Sequence, residues 1–339
     1  MNTPLPFQNP FLLGHESAAK QFLDGFQSGK MHHAWLISGN EGIGKATLAA
    51  HFAHTVLSNG SNKPGQIDMQ NPVARLIAAE SHPDLFILRR PADEKTGALK
   101  DVIPVEEARK IAPFLRLTPT HSKWRVAVID EAQCLNRHGQ NTILKVIEEP
   151  PPACLILMTV TTPGAMLPTI RSRCRALPLH PLEPQMLETL MARYDIDCGT
   201  GAEKARLLAL AGGSLGFAQK IIETGALAIL DEIAALFAGD MDVARCHRLA
   251  EKFAKKADAD SFFVLSDILR EILRQQILAG TRSTEAPQDL PSFYKGLPLD
   301  RLLQLWDKLG AIFHRTDVGN LDRKLAFINA MIEIRRASA

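Results

Sequence analysis

Cysteine is scarce in this chain of 339 residues and never comes in pairs: five thiols stand at 134, 154, 174, 198 and 246. An odd, scattered set argues against a disulfide framework and a four-thiolate zinc site, and leaves reduced thiols packed as small apolar side chains. Long apolar runs are missing too. No stretch reaches the roughly 18 to 20 residues that a bilayer crossing takes, so no membrane partner is expected. The N-terminus, MNTPLPFQNPFLLGHES, lacks a basic region ahead of an apolar core, which argues against a secretory leader and for the cytoplasm. The formal net charge is only +2, too weak a field to indicate nucleic-acid binding by itself.

What is present suits a soluble globular protein: 46% hydrophobic and 22% charged residues, in a length that implies two or three domains. Ala34 to Ser38 is a short apolar strand. A glycine-rich loop follows, then a helical pattern from Lys45 to Leu57 with Leu48, Phe52, Val56 and Leu57 recurring at helical spacing. The polar stretch 58–70 reads as a surface loop, and 92–101 as another. Further strands are expected at 84–88, 125–129 and 155–160, and helices at 105–115 and 140–147, the last stopped by Pro150, Pro151 and Pro152. These strands are continuous apolar runs, as in a parallel sheet covered by helices on both faces. From Pro184 onward only helical periodicity remains, with breaks near 212–216 and 239–240 and a Pro/Gly/Ser-rich stretch at 280–297. No internal repeat is evident.

The loop Gly39-Asn40-Glu41-Gly42-Ile43-Gly44-Lys45 matches GxxxxGK between a strand and a helix, the order a phosphate loop requires. Gly39, Gly42 and Gly44 let backbone N–H groups turn inward on phosphate oxygens, and Lys45 neutralises the β and γ phosphates. The next residue should carry a hydroxyl for Mg²⁺; it is Ala46. Thr47, retained among the candidate cofactor contacts, comes one residue late, about 100° around the helix. Asp130 and Glu131 close an apolar strand, where one carboxylate would hold metal through water and the other would orient the attacking water. Thr161, after the next strand, is placed to sense a γ-phosphate. Arg173, in Ser172-Arg173-Cys174, is a guanidinium able to stabilise a transferring phosphate across a subunit boundary. Taken alone, it reads better as a structural, salt-bridging arginine.

The runs GNEGIGK, VAVIDEAQCLN, NTILKVIEEPP and LPTIRSRC, in this order and spacing, resemble the AAA+ clamp-loader family. That family includes bacterial DNA polymerase III clamp-loader subunits and eukaryotic replication factor C. The resemblance covers residues 11–182 most clearly. It extends to a small helical domain, and to Asp317–Leu325, which is similar to the closing helix of the family's collar. It implies an α/β P-loop base with a parallel sheet over residues 1–180, an all-α lid over 181–238 and an all-α collar over 239–339.

Two kinds of subunit compete within the family. The motor kind, gamma or tau, carries Thr after the loop lysine and an arginine in the lid; here Ala46 and Gly216 stand at those places. Both departures point to the delta-prime kind, which supplies an arginine finger but is not itself a motor. The resemblance then implies that Asp130 and Glu131 are vestigial and that ATP binds weakly if at all, Mg²⁺ only with ATP. ATPase activity would be weak or nil, with no polymerase activity. Implied partners are the gamma/tau and delta subunits, with the sliding clamp and primed DNA reached through the complex. Many relatives hold zinc through four cysteines after the phosphate-loop helix; residues 58–83 contain none, so zinc is not expected. A motor subunit of the same machine and an unrelated homo-hexameric AAA+ remodeller are the rival readings.

Two features of the second half stay open. Arg245, Arg248, Lys252, Lys255 and Lys256 lie on one helical stretch that would suit DNA phosphates, though a solvated face is the better reading. Leu302, Leu303, Leu305, Trp306 and Leu309 form an apolar stripe, for core packing or for a neighbouring subunit.

Overall fold

The computed structural model of the chain describes residues 3–93, 97, 99–237, 243–255, 259–282, 293–294, 296–319 and 321–338. They form two compact units, Met1–Asp195 and Ile196–Ala339. In the first, β1 (Ala34–Ser38), β2 (Leu85–Leu88), β3 (Arg125–Ile129), β4 (Cys154–Val160) and β5 (Arg175–Pro178) make one wholly parallel sheet in the order β2-β3-β4-β1-β5. Helices α1 (Glu16–Gln27), α2 (Lys45–Leu57), α3 (Pro72–Ala78), α4 (Val105–Arg109), α5 (Ile111–Arg116), α6 (Arg137–Glu148), α7 (Pro168–Arg171) and α8 (Pro184–Arg193) complete the unit.

Successive strand residues point to opposite faces, and both faces are dry. Trp35, Ile37, Val126, Val128, Leu155 and Leu157 pack with Phe22 of α1 and Phe52 of α2. Leu36, Ala127, Ile129, Ile156 and Met158 pack with Ala108, Ile111, Ile143 and Val146. Double burial is why these strands read as unbroken apolar runs. The expected parallel sheet is borne out.

The helix expected at 105–115 is two helices, α4 and α5, meeting at Lys110. Pro113 explains the break: it has no N–H for the Arg109 carbonyl, and its ring crowds that oxygen. β5 escaped sequence reading because only Leu177 of its four residues is buried. It is an edge strand with no apolar run to announce it. The short α3 begins with Pro72 and is capped by the Asn71 side chain, which accepts from the Val73 N–H. Of the expected 92–101 loop, residues 94–96 and 98 lie outside the described residues.

The second unit is helical, with no strand among its described residues: α9 (Gly201–Ala211), α10 (Leu215–Glu223), α11 (Ala226–Phe237), α12 (Val243–Ala250), α13 (Ala259–Arg282), α14 (Leu299–Val318) and α15 (Arg323–Ser338). Gly212, at φ 56°, ends α9, and the Ser214 side chain caps α10. The breaks expected at 239–240 and over much of 280–297 fall outside the described residues, as do Lys256 and Asn320. The basic stretch is helical only to Ala250 and then tightens into a 3₁₀ turn, Glu251–Phe253. The segment resembling a closing helix joins two helices instead: Asp317 and Val318 end α14, and Arg323 opens α15. In the apolar stripe Leu302, Leu305 and Leu309 are core, Trp306 lies beneath the Arg270 guanidinium, and Leu303 is exposed.

Candidate functional site

In an open parallel sheet, ligands gather beyond the carboxyl ends of the strands, where the strand order reverses. β1, between β4 and β5, ends at that place and leads into the glycine loop. Gly39, Gly42 and Gly44 have φ values of 153°, 73° and 99°, in the region that side chains disfavour. Space excludes a side chain at Gly39 as well, since a Cβ there would come within 2.4 Å of Ile43 Cδ1 and 3.0 Å of the Leu179 carbonyl oxygen. Gly44 caps α2, which directs its positive end at the loop. His15 Nε2 lies 2.7 Å from the Ile43 carbonyl; that oxygen only accepts, so the imidazole donates.

Lys45 is buried, and its ammonium donates to the carbonyls of Gly39 at 2.9 Å and Asn40 at 2.7 Å. Burial pushes its pKa below the ordinary lysine value, against the pull of Asp130, Glu41 and Glu131. Ala46 and Thr47 follow, both half-buried in the first turn of α2.

β3 carries Asp130 and Glu131 to the same edge. Thr159, buried in β4, donates from Oγ1 to Asp130 Oδ1 at 2.6 Å and accepts from the Glu131 N–H at 2.9 Å. Glu131 has φ 53°, an uncommon conformation for a side-chain-bearing residue. Its carboxylate is held by Arg90, whose Nε donates to Oε2 at 2.6 Å. Burial disfavours the Arg90 charge, but Glu131 outweighs it and raises its pKa. Thr161 is half-buried, and its N–H meets Gln133 Oε1 at 3.3 Å. The structure thus brings Gly39, Gly42, Gly44, Lys45, Asp130, Glu131 and Thr161 to one edge.

These groups fit a phosphate: glycines in permissive conformations, a helix N-terminus and a lysine beside them. They lack one ligand for a coordinated Mg²⁺. Ala46 offers no oxygen, and Thr159 already bonds the Asp130 carboxylate. Among the described residues no group of three or more His, Cys, Asp or Glu side chains is placed to hold a metal ion, and no helix is long and apolar enough to cross a membrane.

Sequence reasoning missed Thr159, Arg90 and His15. Thr159 is the one polar residue in the run Cys154–Val160, a signal that passed as ordinary β-branched strand composition. Arg90 and His15 offered no local pattern.

Arg173 stands apart from this group. β5 pairs with β1 in the register Trp35↔Arg175 and Ser38↔Pro178, so Arg173, two residues before β5, sits at the amino ends of the strands. At about 3.3 Å per residue, the phosphate loop begins some 13 Å beyond the level of Arg175. Arg173 Nη2 pairs with Glu148 Oε1 at 3.1 Å, and Nη1 donates to the Thr169 carbonyl at 3.1 Å. Its side chain is 43% exposed. The neighbouring Cys174 packs toward the core, where burial pushes its thiol up to about 12.

The chain is similar to several subunits of DNA polymerase III. The delta-prime subunit of DNA polymerase III from Pseudomonas aeruginosa is 34% identical over 191 residues, 56% of this chain and 55% of that one. The gamma subunit from Buchnera aphidicola (Schizaphis graminum) is 31% identical over 189 residues, 51% of this chain and 45% of that one. The chain thus spans about half the length of these relatives. A solved structure of a DNA polymerase III gamma subunit-related protein from Thermotoga maritima superposes with a TM-score of 0.46 at 13% identity, covering 94% of this chain and 100% of that one. The family profile for the DNA polymerase III delta subunit matches residues 14–183, half of the sequence and nearly all of the sheet unit. With the phosphate loop, the acidic strand end and the distant arginine all inside that span, this chain belongs to the DNA polymerase III delta subunit family.

Proposed function

We propose that this chain is a delta-prime-type, non-motor subunit of a DNA polymerase III clamp loader, and that it lends Arg173 to the ATP site of a neighbouring subunit. The observation that carries the reading is the separation of the two edges. Arg173 lies at the amino end of the sheet, out of reach of its own phosphate loop, and half-exposed. A guanidinium so placed serves a nucleotide only across a subunit boundary, where it would offset charge on the transferring phosphoryl group.

The chain's own site supports the non-motor part. Ala46 removes a metal ligand, Thr159 engages Asp130, and Arg90 engages Glu131. ATP would then bind weakly through the loop and Lys45, with Mg²⁺ arriving only with the nucleotide and Thr161 as a vestigial sensor. Thr47, one residue past the usual hydroxyl position, makes at most a lesser contact. Residues 1–180 would act as the base, 181–238 as the lid and 239–339 as the collar that holds the ring. Gamma/tau and delta subunits would be the neighbours, and the ring would place the sliding clamp on primed DNA.

The rival with an observation of its own is a gamma/tau-type motor, favoured by Lys45, Asp130 and Glu131 sharing one edge. An unrelated homo-oligomeric remodeller would carry Ala46 in every site, a poor ATPase throughout. Steady-state hydrolysis by the purified chain separates these readings. Negligible turnover is expected, whereas a rate near ~1 s⁻¹ would place it among motors.

A further inference from the structure

We propose that Glu148 is a positioning residue for Arg173, aiming its guanidinium at the neighbouring subunit's nucleotide. This rests on the reading of Arg173 as an arginine that acts in trans.

Glu148 is the last residue of α6, and that helix end is pinned from behind. His33, ahead of β1, donates from Nε2 to the Ile147 carbonyl at 2.9 Å, taking up one of the oxygens that a helix C-terminus leaves unpaired. Glu149 follows, and Pro150, Pro151 and Pro152 prevent any further turn. The Glu148 carboxylate is therefore presented from a fixed point to Arg173 Nη2 at 3.1 Å. On the other side, Thr169 of α7 takes Nη1 at 3.1 Å.

A guanidinium carries five N–H donors in a rigid plane. An ion pair with Glu148 and a hydrogen bond to Thr169, on different elements, orient that plane and leave most of its donors for an incoming oxyanion. Both side chains are well exposed, 43% for Arg173 and 40% for Glu148, so the pair contributes little to folding. Its effect belongs in the orientation of Arg173. A free arginine must give up rotamer freedom each time it meets a phosphate, and a pre-aimed one has already done so.

The test is a double-mutant cycle in reconstituted clamp loader, read by single-turnover ATP hydrolysis at the neighbouring site. Glu148→Ala should slow that step by about tenfold, with little change in nucleotide KM. In an Arg173→Ala background the same substitution should cost nothing further, because Glu148 acts only through the arginine. Glu148→Asp, keeping the charge on a shorter arm, should recover part of the rate. In the isolated chain, nitrogen relaxation of the Arg173 Nε–H group should report a freer side chain in Glu148→Ala, with an unchanged thermal midpoint.

An equal loss in both backgrounds would overturn the proposal, since Glu148 would then act elsewhere. So would a full rate in Glu148→Ala while Arg173→Ala alone is slow. If Arg173→Ala itself leaves hydrolysis unchanged, the trans-arginine reading fails first and the positioning role falls with it, an outcome visible in that single variant.

Discussion

The two ends of one parallel sheet treat charge in opposite ways. At the carboxyl edge the lysine and both acids are already engaged within the chain: Lys45 by the carbonyls of Gly39 and Asn40, Asp130 by Thr159, Glu131 by Arg90. At the amino edge Arg173 stands half in solvent, held by one carbonyl and one exposed carboxylate. The same edge also carries a charge pair of a different kind. Asp84 is fully buried, accepts from the N–H groups of Thr120, His121 and Ser122 at 2.7 to 2.8 Å, and lies 3.6 Å from Arg125. Burial would raise its pKa, but these three N–H groups and Arg125 hold it below the usual carboxylate value. Proximity to an edge therefore does not make a charge functional. A buried, saturated ion builds the scaffold, and an exposed one with donors to spare is available to a partner.

Breaking the amino edge at Arg173 should have the largest effect. Arg173→Ala is expected to slow single-turnover hydrolysis at one adjacent subunit by up to ~10³-fold, while this chain folds and joins the complex normally. Arg173→Lys should restore little, because an ammonium cannot reproduce the planar, two-pronged contact. Wild-type rates in the alanine variant would leave Arg173 as a surface salt bridge.

The buried pair at that edge should behave in the contrary way. Asp84→Ala strands three N–H groups and leaves Arg125 buried without its counter-charge, at a cost of roughly 3–5 kcal/mol in stability. Equilibrium urea unfolding measures it, and a change below about 1 kcal/mol would contradict the scaffold role assigned to Asp84.

The helix beneath the phosphate loop extends the contrast to pH. His51 of α2 is fully buried and accepts from the Gly65 N–H at 3.0 Å. Burial, with His54 nearby, pushes its pKa down to about 4 from an ordinary 6.5. The folded state thus disfavours the proton that the unfolded chain takes up. The stabilisation from a neutral His51 is complete above about pH 6.5 and is lost as pH falls towards 4, by an order of 3 kcal/mol. Unfolding measured at pH 7 and pH 4.5 should show this loss, and His51→Gln should shrink it. Equal slopes in the two proteins would assign the acid sensitivity to other groups.

The smallest expected change is at Ala46. Ala46→Thr returns a hydroxyl to the first turn of α2 and should tighten Mg-ATP binding by about tenfold, ~1.4 kcal/mol, in calorimetric titration. Turnover should stay negligible, because Gly216 still stands where motor subunits are expected to carry an arginine. Measurable hydrolysis after this one substitution would show the carboxyl edge to be a motor site short of a single ligand.

Much of the fold was legible because its signals are local. The strands at 34–38 and 125–129, the glycine loop and the helix from Lys45 to Leu57 are each written in contiguous residues, by apolar continuity, permissive backbone or helical spacing. The missing hydroxyl at Ala46 is equally local. The α4–α5 break was legible at Pro113 and went unread. β5 was not, since an edge strand with one buried residue has no pattern of its own.

The sequence by itself determined the phosphate loop, its lack of a metal ligand and the presence of an arginine after the fourth strand. Tertiary structure alone decided what those groups touch. Arg90 meets Glu131 across 41 residues because β2 lies beside β3, and Thr159 meets Asp130 across 29 because β4 lies on the other side. The direction of β5 likewise decided that Arg173 lies at the opposite end of the sheet from its own loop. Strand order sets such contacts, and it follows from the packing of the whole sheet between its two helical layers, which no local run of residues encodes.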